Sequence, residues 1–276
     1  MKQITYICLM TMTLASILFI AVPANAISGT ARVDTAPGIT GAIGIDAAQD
    51  RVAQFMGSSA LVGQKFTYSG TLDSPLGAVY ELSQGNNRYY VNEKTGDVEF
   101  AYFPGSRSES GMNALSQNDA YAIALKYVET KYAKFTNTTM IQLESQTYDH
   151  GAAGKTYSFS WSEQISGVLT LNRVYVSVDA GSGKILSYQA KSRETTVSLD
   201  PKVTESSAKE ITLHAFGNPV EPSSDAVLMV VCLDKDSQKL AWVVTVHSVG
   251  EDNLPQGGQA VIDAQTGEVL LSSPFN

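Results

Sequence analysis

Three stretches of the chain carry apolar residues at helical spacing, and each precedes a region where apolar and polar residues alternate. Apolar residues three and four positions apart are typical of an amphipathic helix, and strict alternation is typical of a half-buried strand. The helices are predicted to begin at the capping residues Asp46, Ser116 and Thr204. Gly57 is predicted to end the first helix, because glycine readily adopts the left-handed conformation found there.

The alternation is clearest in the last two regions. Tyr157, Phe159 and Trp161 alternate with serines, and Trp242 and Val244 alternate with alanine, valine and threonine. Successive side chains of a strand point to opposite faces, so these aromatic and β-branched residues share one face. The pattern predicts antiparallel strands whose apolar face packs against the preceding helix.

A short turn motif occurs three times at nearly constant, domain-sized intervals. It consists of a β-branched residue, Asn or Asp, two variable residues, Thr or Ser, Gly, a charged residue and a second β-branched residue. The Asn or Asp side chain can accept hydrogen bonds from the backbone just ahead, and Gly can close the loop in a left-handed conformation. We therefore interpret each copy as a structural hairpin turn. The predicted turn residues are Asn92, Gly96, Asp179, Gly183, Asp263 and Gly267.

A calcium loop is the functional alternative for this motif. Such a loop needs side-chain oxygens at alternate positions. After Asp179, those positions hold Gly181 and Gly183, which carry no oxygen on a side chain. The spacing therefore favours the structural interpretation, and no metal ligand is predicted.

The repetition predicts an α+β fold made of repeated modules, each with one helix packed on an antiparallel β-sheet. The predicted boundaries are 45–104 for a degenerate first repeat, 115–190 for the second repeat and 203–276 for the third. Polar segments rich in Gly, Ser and charged residues separate the copies, and we interpret them as exposed connectors.

Residues 1–26 have the features of a signal peptide. Lys2 precedes an apolar stretch from Ile4 to Val22, and the small residues Ala24 and Ala26 form a cleavage site. Residues 27–44 are predicted to be a flexible leader. An uncleaved membrane anchor is the alternative, and contact with a membrane is expected only in that case. The expected location is secreted or otherwise extracytoplasmic, in the cell envelope.

The charge balance narrows the class of partner. The chain has 27 acidic and 19 basic side chains and a formal net charge of −8. A nucleic-acid partner requires a basic surface, so none is expected. Beyond the predicted signal peptide Cys232 is the single cysteine, which rules out an internal disulfide and predicts a buried strand residue.

The second and third copies resemble the PepSY domain, over about residues 115–190 and 203–272. The resemblance rests on the capped helix, the aromatic strand residues Tyr157 and Trp242, and the two turns that begin at Asp179 and Asp263. It implies a helix packed against an antiparallel sheet in an exported protein. Modules of this family occur in propeptides of secreted metallopeptidases, where they inhibit the enzyme or help it fold. The family has no catalytic residues to transfer to this chain.

No catalytic, metal-binding or cofactor-binding residue is predicted. His150, His214 and His247 are far apart in sequence, and neither a His-Glu-x-x-His nor a Gly-x-Ser-x-Gly motif is present. We therefore expect a non-catalytic extracytoplasmic binding protein whose partner is a protein or peptide, with inhibition or modulation of an exported peptidase as the specific form. An exposed sheet edge in the third repeat is the expected binding element. The alternatives are a structural or adhesive cell-envelope module, and an enzyme whose site is not recognisable from sequence.

Overall fold

The computed structural model describes eight segments of the chain, all of them between Asp34 and Asn276. The predicted signal peptide and most of the predicted leader lie outside the described residues. The described segments are 41–57, 66–73, 77–106, 115–151, 154–217, 223–234, 237–249 and 255–274.

Three α-helices and twelve β-strands form within these segments. The helices are α1 (Ile45–Met56), α2 (Gln117–Lys131) and α3 (Glu205–Ala215), and one 3-10 turn lies at Pro104–Ser106. The strands are β1 (Thr67–Leu72), β2 (Val79–Gln84), β3 (Asn87–Asn92), β4 (Val98–Tyr102), β5 (Met140–Asp149), β6 (Lys155–Ile165), β7 (Val168–Asp179), β8 (Ile185–Lys191), β9 (Ser223–Asp234), β10 (Ser237–Val249), β11 (Pro255–Asp263) and β12 (Val269–Pro274). None of the described helices is long and apolar enough to cross a membrane.

Two of the three predicted helix caps are confirmed. The Ser116 and Thr204 side chains accept hydrogen bonds from the backbone N–H groups three residues ahead, at 3.1 and 3.2 Å. The predicted cap at Asp46 is wrong, because α1 begins one residue earlier and Asp46 lies in its first turn. The Ile43 N–H donates to the Glu93 carbonyl at 2.7 Å, which fixes the chain so that Ile45 can pack on the core.

All twelve strands join one hydrogen-bonded sheet, in the order β1-β2-β3-β4-β8-β7-β9-β10-β11-β12, with β6 on the other side of β7 and β5 beyond β6. Neighbouring strands are antiparallel except β7 and β9, which meet in parallel where Leu169 lies opposite Met229. Strand β8 pairs with the second half of β7, from Arg173 to Val178. Because β8 does not extend along the first half of β7, that half can contact β9.

The predicted fold of repeated helix-on-sheet modules is wrong. The strands form one large mixed sheet, and the three helices are short elements packed on it. The first two helices also share a single apolar core, which contains Val52 of α1, Val128 of α2, and residues of β2 to β4 and β6 to β8. The turn motif describes the ends of hairpins, and it carries no information about which strand edges meet between the hairpins.

The sheet has two faces of different composition. On β7, Val174, Val176 and Val178 face the helices and lie in the core. Arg173, Tyr175 and Ser177 alternate with them and therefore lie on the opposite face, which we call the far face. Elements of both candidate sites described below lie on this far face.

Candidate functional site

The predicted turn residues occupy hairpin turns at the β3–β4, β7–β8 and β11–β12 connections. The Asn92 side-chain oxygen accepts from the backbone N–H groups of Lys94 and Thr95 at 3.0 and 2.9 Å. The Asp179 side chain accepts from the Ser182 N–H at 2.7 Å. In each turn the glycine N–H donates to the carbonyl of the Asn or Asp, and its φ lies between 69° and 79°.

The three turns do not form a common site. A Cβ added at Gly96 would meet Arg51 of α1, and one at Gly267 would meet Ile211 of α3. A Cβ at Gly183 would meet Leu115, which precedes α2, and Ile123, which belongs to it. Each turn therefore packs against a different helix. The residues of these turns close hairpins and pack against helices, which is a structural role.

Asp263 gives one of these turns a pH-dependent contribution to stability. Burial alone would raise the pKa of this carboxyl, but hydrogen bonds from Gln265, Lys239 and Thr266 outweigh it and hold the pKa below its ordinary value. The Lys239 Nζ lies 3.1 Å from the Asp263 carboxylate. A carboxyl with a lowered pKa stabilises the fold above its unfolded-state pKa of about 3.9, and this contribution is lost as pH falls through the lower folded-state value.

Asp263→Asn is expected to lower the free energy of unfolding at neutral pH by about 1 kcal/mol, through loss of the pair with Lys239. The turn itself should persist, because Asn92 fills the equivalent position and accepts the same backbone hydrogen bonds. Denaturant melts of both proteins at neutral pH and at about pH 3 test this. The difference should shrink in acid, and a constant difference would contradict the assignment. Glu268→Gln, in the same turn, serves as the control.

A buried charge cluster near the end of β8 was missed by the sequence reasoning. The Glu99 carboxylate, 3% exposed, pairs with Lys191 and lies 2.8 Å from Arg193 Nη2. Asn92 Nδ2 also donates to Glu99 at 3.0 Å. Glu99 is far in sequence from Lys191 and Arg193. These two cations also lie in the polar segment between the second and third predicted repeats, which is predicted to be an exposed connector. No local pattern could have indicated that Lys191 and Arg193 serve a buried carboxylate.

A second buried carboxylate continues this network. Glu163 Oε2 accepts hydrogen bonds from Thr170 and Asn172, both at 2.7 Å. The Asn172 side-chain oxygen in turn accepts from the Arg193 backbone N–H at 2.6 Å. The network holds the chain after β8 against β6 and β7, and its partners are side chains and backbone of the protein itself. We assign it a structural role.

Three strands have a strand neighbour on one side only within the described residues: β1, β5 and β12. Natural sheets protect such edges with charges or bulges. Strand β1 is interrupted by an irregularity at Gly70, and β5 has one before Glu144 and carries two acidic residues. In β12 the irregularity lies at its start, so Leu271–Pro274 pair regularly with β11 and carry no charge. The protecting residue of this strand is Pro274, which lies at its end and leaves Leu271–Ser273 uncovered. Strand β12 is thus the least protected edge.

Four apolar side chains form a line across the far face, and this line ends at the β12 edge. Val227, Val243, Val261 and Leu271 lie directly opposite one another on β9, β10, β11 and β12. Their chain neighbours Trp242 and Ile262 pack on the α3 side, so these four lie on the far face. We call them the apolar row. Its two ends, Val227 and Leu271, are 43% and 40% exposed.

Among the described residues, no three His, Cys, Asp or Glu side chains lie close enough together to hold a metal ion. Cys232 lies in β9, as predicted, but is half-buried rather than buried.

No family model matches the chain. No curated protein matches it. Among solved structures, the chain is similar to one described as the Bacillus megaterium YpeB C-terminal domain, with a TM-score of 0.47 and 16% sequence identity, over 85% of this chain and 99% of that one. A similarity of this degree carries no statement about function, and the resemblance to the PepSY domain stays a prediction.

Proposed function

We propose that the chain is a non-catalytic, extracytoplasmic binding protein that adds an extended segment of a partner protein to the outer edge of β12. The observation that carries the proposal is an uncharged, exposed edge strand at the end of the apolar row. An extended segment can pair with such an edge through main-chain hydrogen bonds, and its alternate side chains then provide specificity.

The apolar row specifies the side chains of this segment. A strand added beside β12 places one residue opposite Leu271 and the next but one on the same face. An apolar residue opposite Leu271 would extend the row by one strand and cover part of its exposed surface. The proposed ligand is therefore an extended segment with apolar residues at alternate positions, within an exported peptidase that the chain inhibits or modulates.

Leu271→Lys is expected to weaken binding of such a segment at least tenfold, because it places a charge in the apolar row at the proposed contact. Val227→Lys is the matched control, since Val227 has the same exposure and face but lies three strands away. The probe is a fluorescent peptide of about eight residues that alternates Val and Thr. Fluorescence anisotropy measures its affinity for the full chain and both variants, and the same peptide with proline in place of a central residue should not bind. Equal loss in both variants would place the ligand elsewhere on the far face.

Proline substitutions at Ser272 and Ser273 test the main-chain contact. In an antiparallel strand, successive N–H groups point to opposite sides, so one of these two donates towards β11 and the other points outwards. The outward position should tolerate proline with little loss of stability while peptide binding is lost. If the more stable of the two variants retains full affinity, strand addition at β12 is wrong. Inhibition of peptidases from the same source by the wild-type chain tests the partner class separately.

A further inference from the structure

Arg173 is a buried cation with an unusual hydrogen-bond partner. It lies on the far face of β7 and is 7% exposed. Within the described residues its side chain makes one hydrogen bond, a 4.0 Å contact from Nη2 to the Met229 sulfur on β9, and no ion pair. A thioether is a weak acceptor, and a buried charge normally requires a partner that compensates for its lost hydration. The guanidinium has five N–H donors, and the hydrogen bond to sulfur is the one that the described residues provide for them.

A second unsatisfied group lies beside it. The Ser160 hydroxyl oxygen is buried and has no hydrogen-bond partner. Ser160 of β6 lies opposite Tyr175 of β7. Ser162, two residues further along β6, lies opposite Arg173. Ser160 and Arg173 are therefore diagonal neighbours on one face of the sheet. The Cα atoms of such neighbours are about 7 Å apart.

The surroundings of Arg173 add a second positive charge. Lys191 lies directly opposite Arg173 on β8. Like charges in this position repel each other. Lys191 pairs with Glu99, whereas the part of the chain that the structure describes contains no ion pair of Arg173. Burial lowers the pKa of Arg173 to about 10, although the negative charge of Glu144 acts in the opposite direction. The arginine nevertheless stays charged at neutral pH.

We propose that Arg173 and Ser160 form a binding site for a carboxylate group on the far face. A carboxylate has two oxygens that match the paired N–H groups of a guanidinium, and the Ser160 hydroxyl can donate to one of them. Glu144 lies opposite Ser160 on β5 and acts electrostatically on Arg173. Its negative charge disfavours a doubly charged phosphate more strongly than a singly charged carboxylate. The site is separate from the β12 edge and does not depend on binding there.

Two tyrosine hydroxyls add polar groups to the surroundings of Glu144. Burial, followed by Tyr175 and Glu144, raises the pKa of Tyr148 to about 12. Burial also raises the pKa of Tyr175, whose hydroxyl lies 2.7 Å from Ser158 Oγ. Both phenols stay protonated at neutral pH, and both protons are already donated, from Tyr175 to Ser158 Oγ and from Tyr148 to Gln146 Oε1. The hydroxyl oxygens can still accept, so a ligand with an N–H or O–H group next to its carboxylate would fit this arrangement.

The test is titration of the full chain with sodium acetate, monitored by the thermal midpoint and by the NMR signals of the arginine side chains. Acetate should raise the midpoint and shift the Arg173 Nε signal in a saturable manner, and sodium chloride at the same ionic strength should not. Arg173→Met should abolish both effects, and Ser160→Ala should weaken binding several-fold. Arg88→Met, which removes an exposed arginine from the same face, should leave binding unchanged.

Several outcomes would overturn the proposal. It fails if acetate and chloride act alike, if folded Arg173→Met still binds acetate, or if inorganic phosphate binds more tightly than acetate. Should Arg173→Met not fold, Arg173→Lys provides the test, because it keeps the charge but loses the planar pair of donors. Binding of acetate by Arg173→Lys with wild-type affinity would then exclude the site. Loss of acetate binding with retained binding of the Val/Thr peptide would separate this site from the proposed function.

Discussion

Replacing Glu99 by alanine is expected to lower the free energy of unfolding by about 3 kcal/mol. The Glu99 side chain is almost fully buried and pairs with two cations, Lys191 and Arg193. Its removal leaves both positive charges near each other and leaves Asn92 Nδ2 without its acceptor. The expected loss is at the lower end of the range for broken buried pairs, because the Lys191 and Arg193 side chains are each 18% exposed and keep some hydration.

Denaturant unfolding of the wild type and Glu99→Ala measures this loss, with Glu81→Ala as the matched control. Glu81 pairs with Arg88 at 3.3 Å on the neighbouring β2 and β3 strands, but the Arg88 side chain is mostly exposed. Such a surface pair contributes less than about 1 kcal/mol. Losses of the same size in both variants would mean that Glu99 is hydrated in solution. In that case the cluster would not hold the chain after β8 in place.

The local elements of this fold could be predicted from sequence because their signals are local. The Ser116 and Thr204 caps act over three residues, and the hydrogen bonds of Asn92 and Asp263 lie within their turns. Alternation also predicted correctly that Tyr157, Phe159 and Trp161 share a buried face. Each of these features depends on residues that lie close together along the chain.

The arrangement of the sheet could not be predicted, because it depends on contacts between distant segments. Strand β4 meets β8, and β7 meets β9, without a turn to connect them. The same limitation hid the pairing of Glu99 with Lys191 and Arg193. A turn motif that is repeated at a nearly constant interval is most simply explained by separate modules. The motif contains no information that two of the helices share one core.

Arg173 shows a related limit. In sequence it is a single basic residue within an alternating strand, Asn172-Arg173-Val174-Tyr175, and exposure to solvent is the expected state of such a residue. Its burial arises because β8 ends opposite it and Met229 of β9 comes into contact there. Only the packing of three strands at this point makes the arginine a candidate binding residue.

Tyr188→Ala is expected to have the largest effect of all these substitutions, a loss of about 4 kcal/mol in the free energy of unfolding. Tyr188 lies on β8 and is 1% exposed. Its ring lies 5.1 Å from Phe55 of α1 and 5.9 Å from Tyr127 of α2, measured between ring centroids. Removing it leaves a cavity between both helices and the sheet. Hydrogen exchange should show faster exchange in α1 as well as in α2, whereas Ile262→Ala, in the core under α3, should leave α1 unchanged.

A double-mutant cycle between Phe55 and Tyr188 tests the shared core directly. The two rings belong to segments that the sequence assigned to different repeats, and in separate modules their substitutions would be additive. Contact between the rings instead predicts a coupling energy of about 1 kcal/mol. Phe55 also contacts Tyr127, and Lys131 of α2 donates to the Phe55 carbonyl, so α1 and α2 should lose stability together. A coupling energy near zero, with α1 protected from exchange in Tyr188→Ala, would mean that the two helices are stabilised independently.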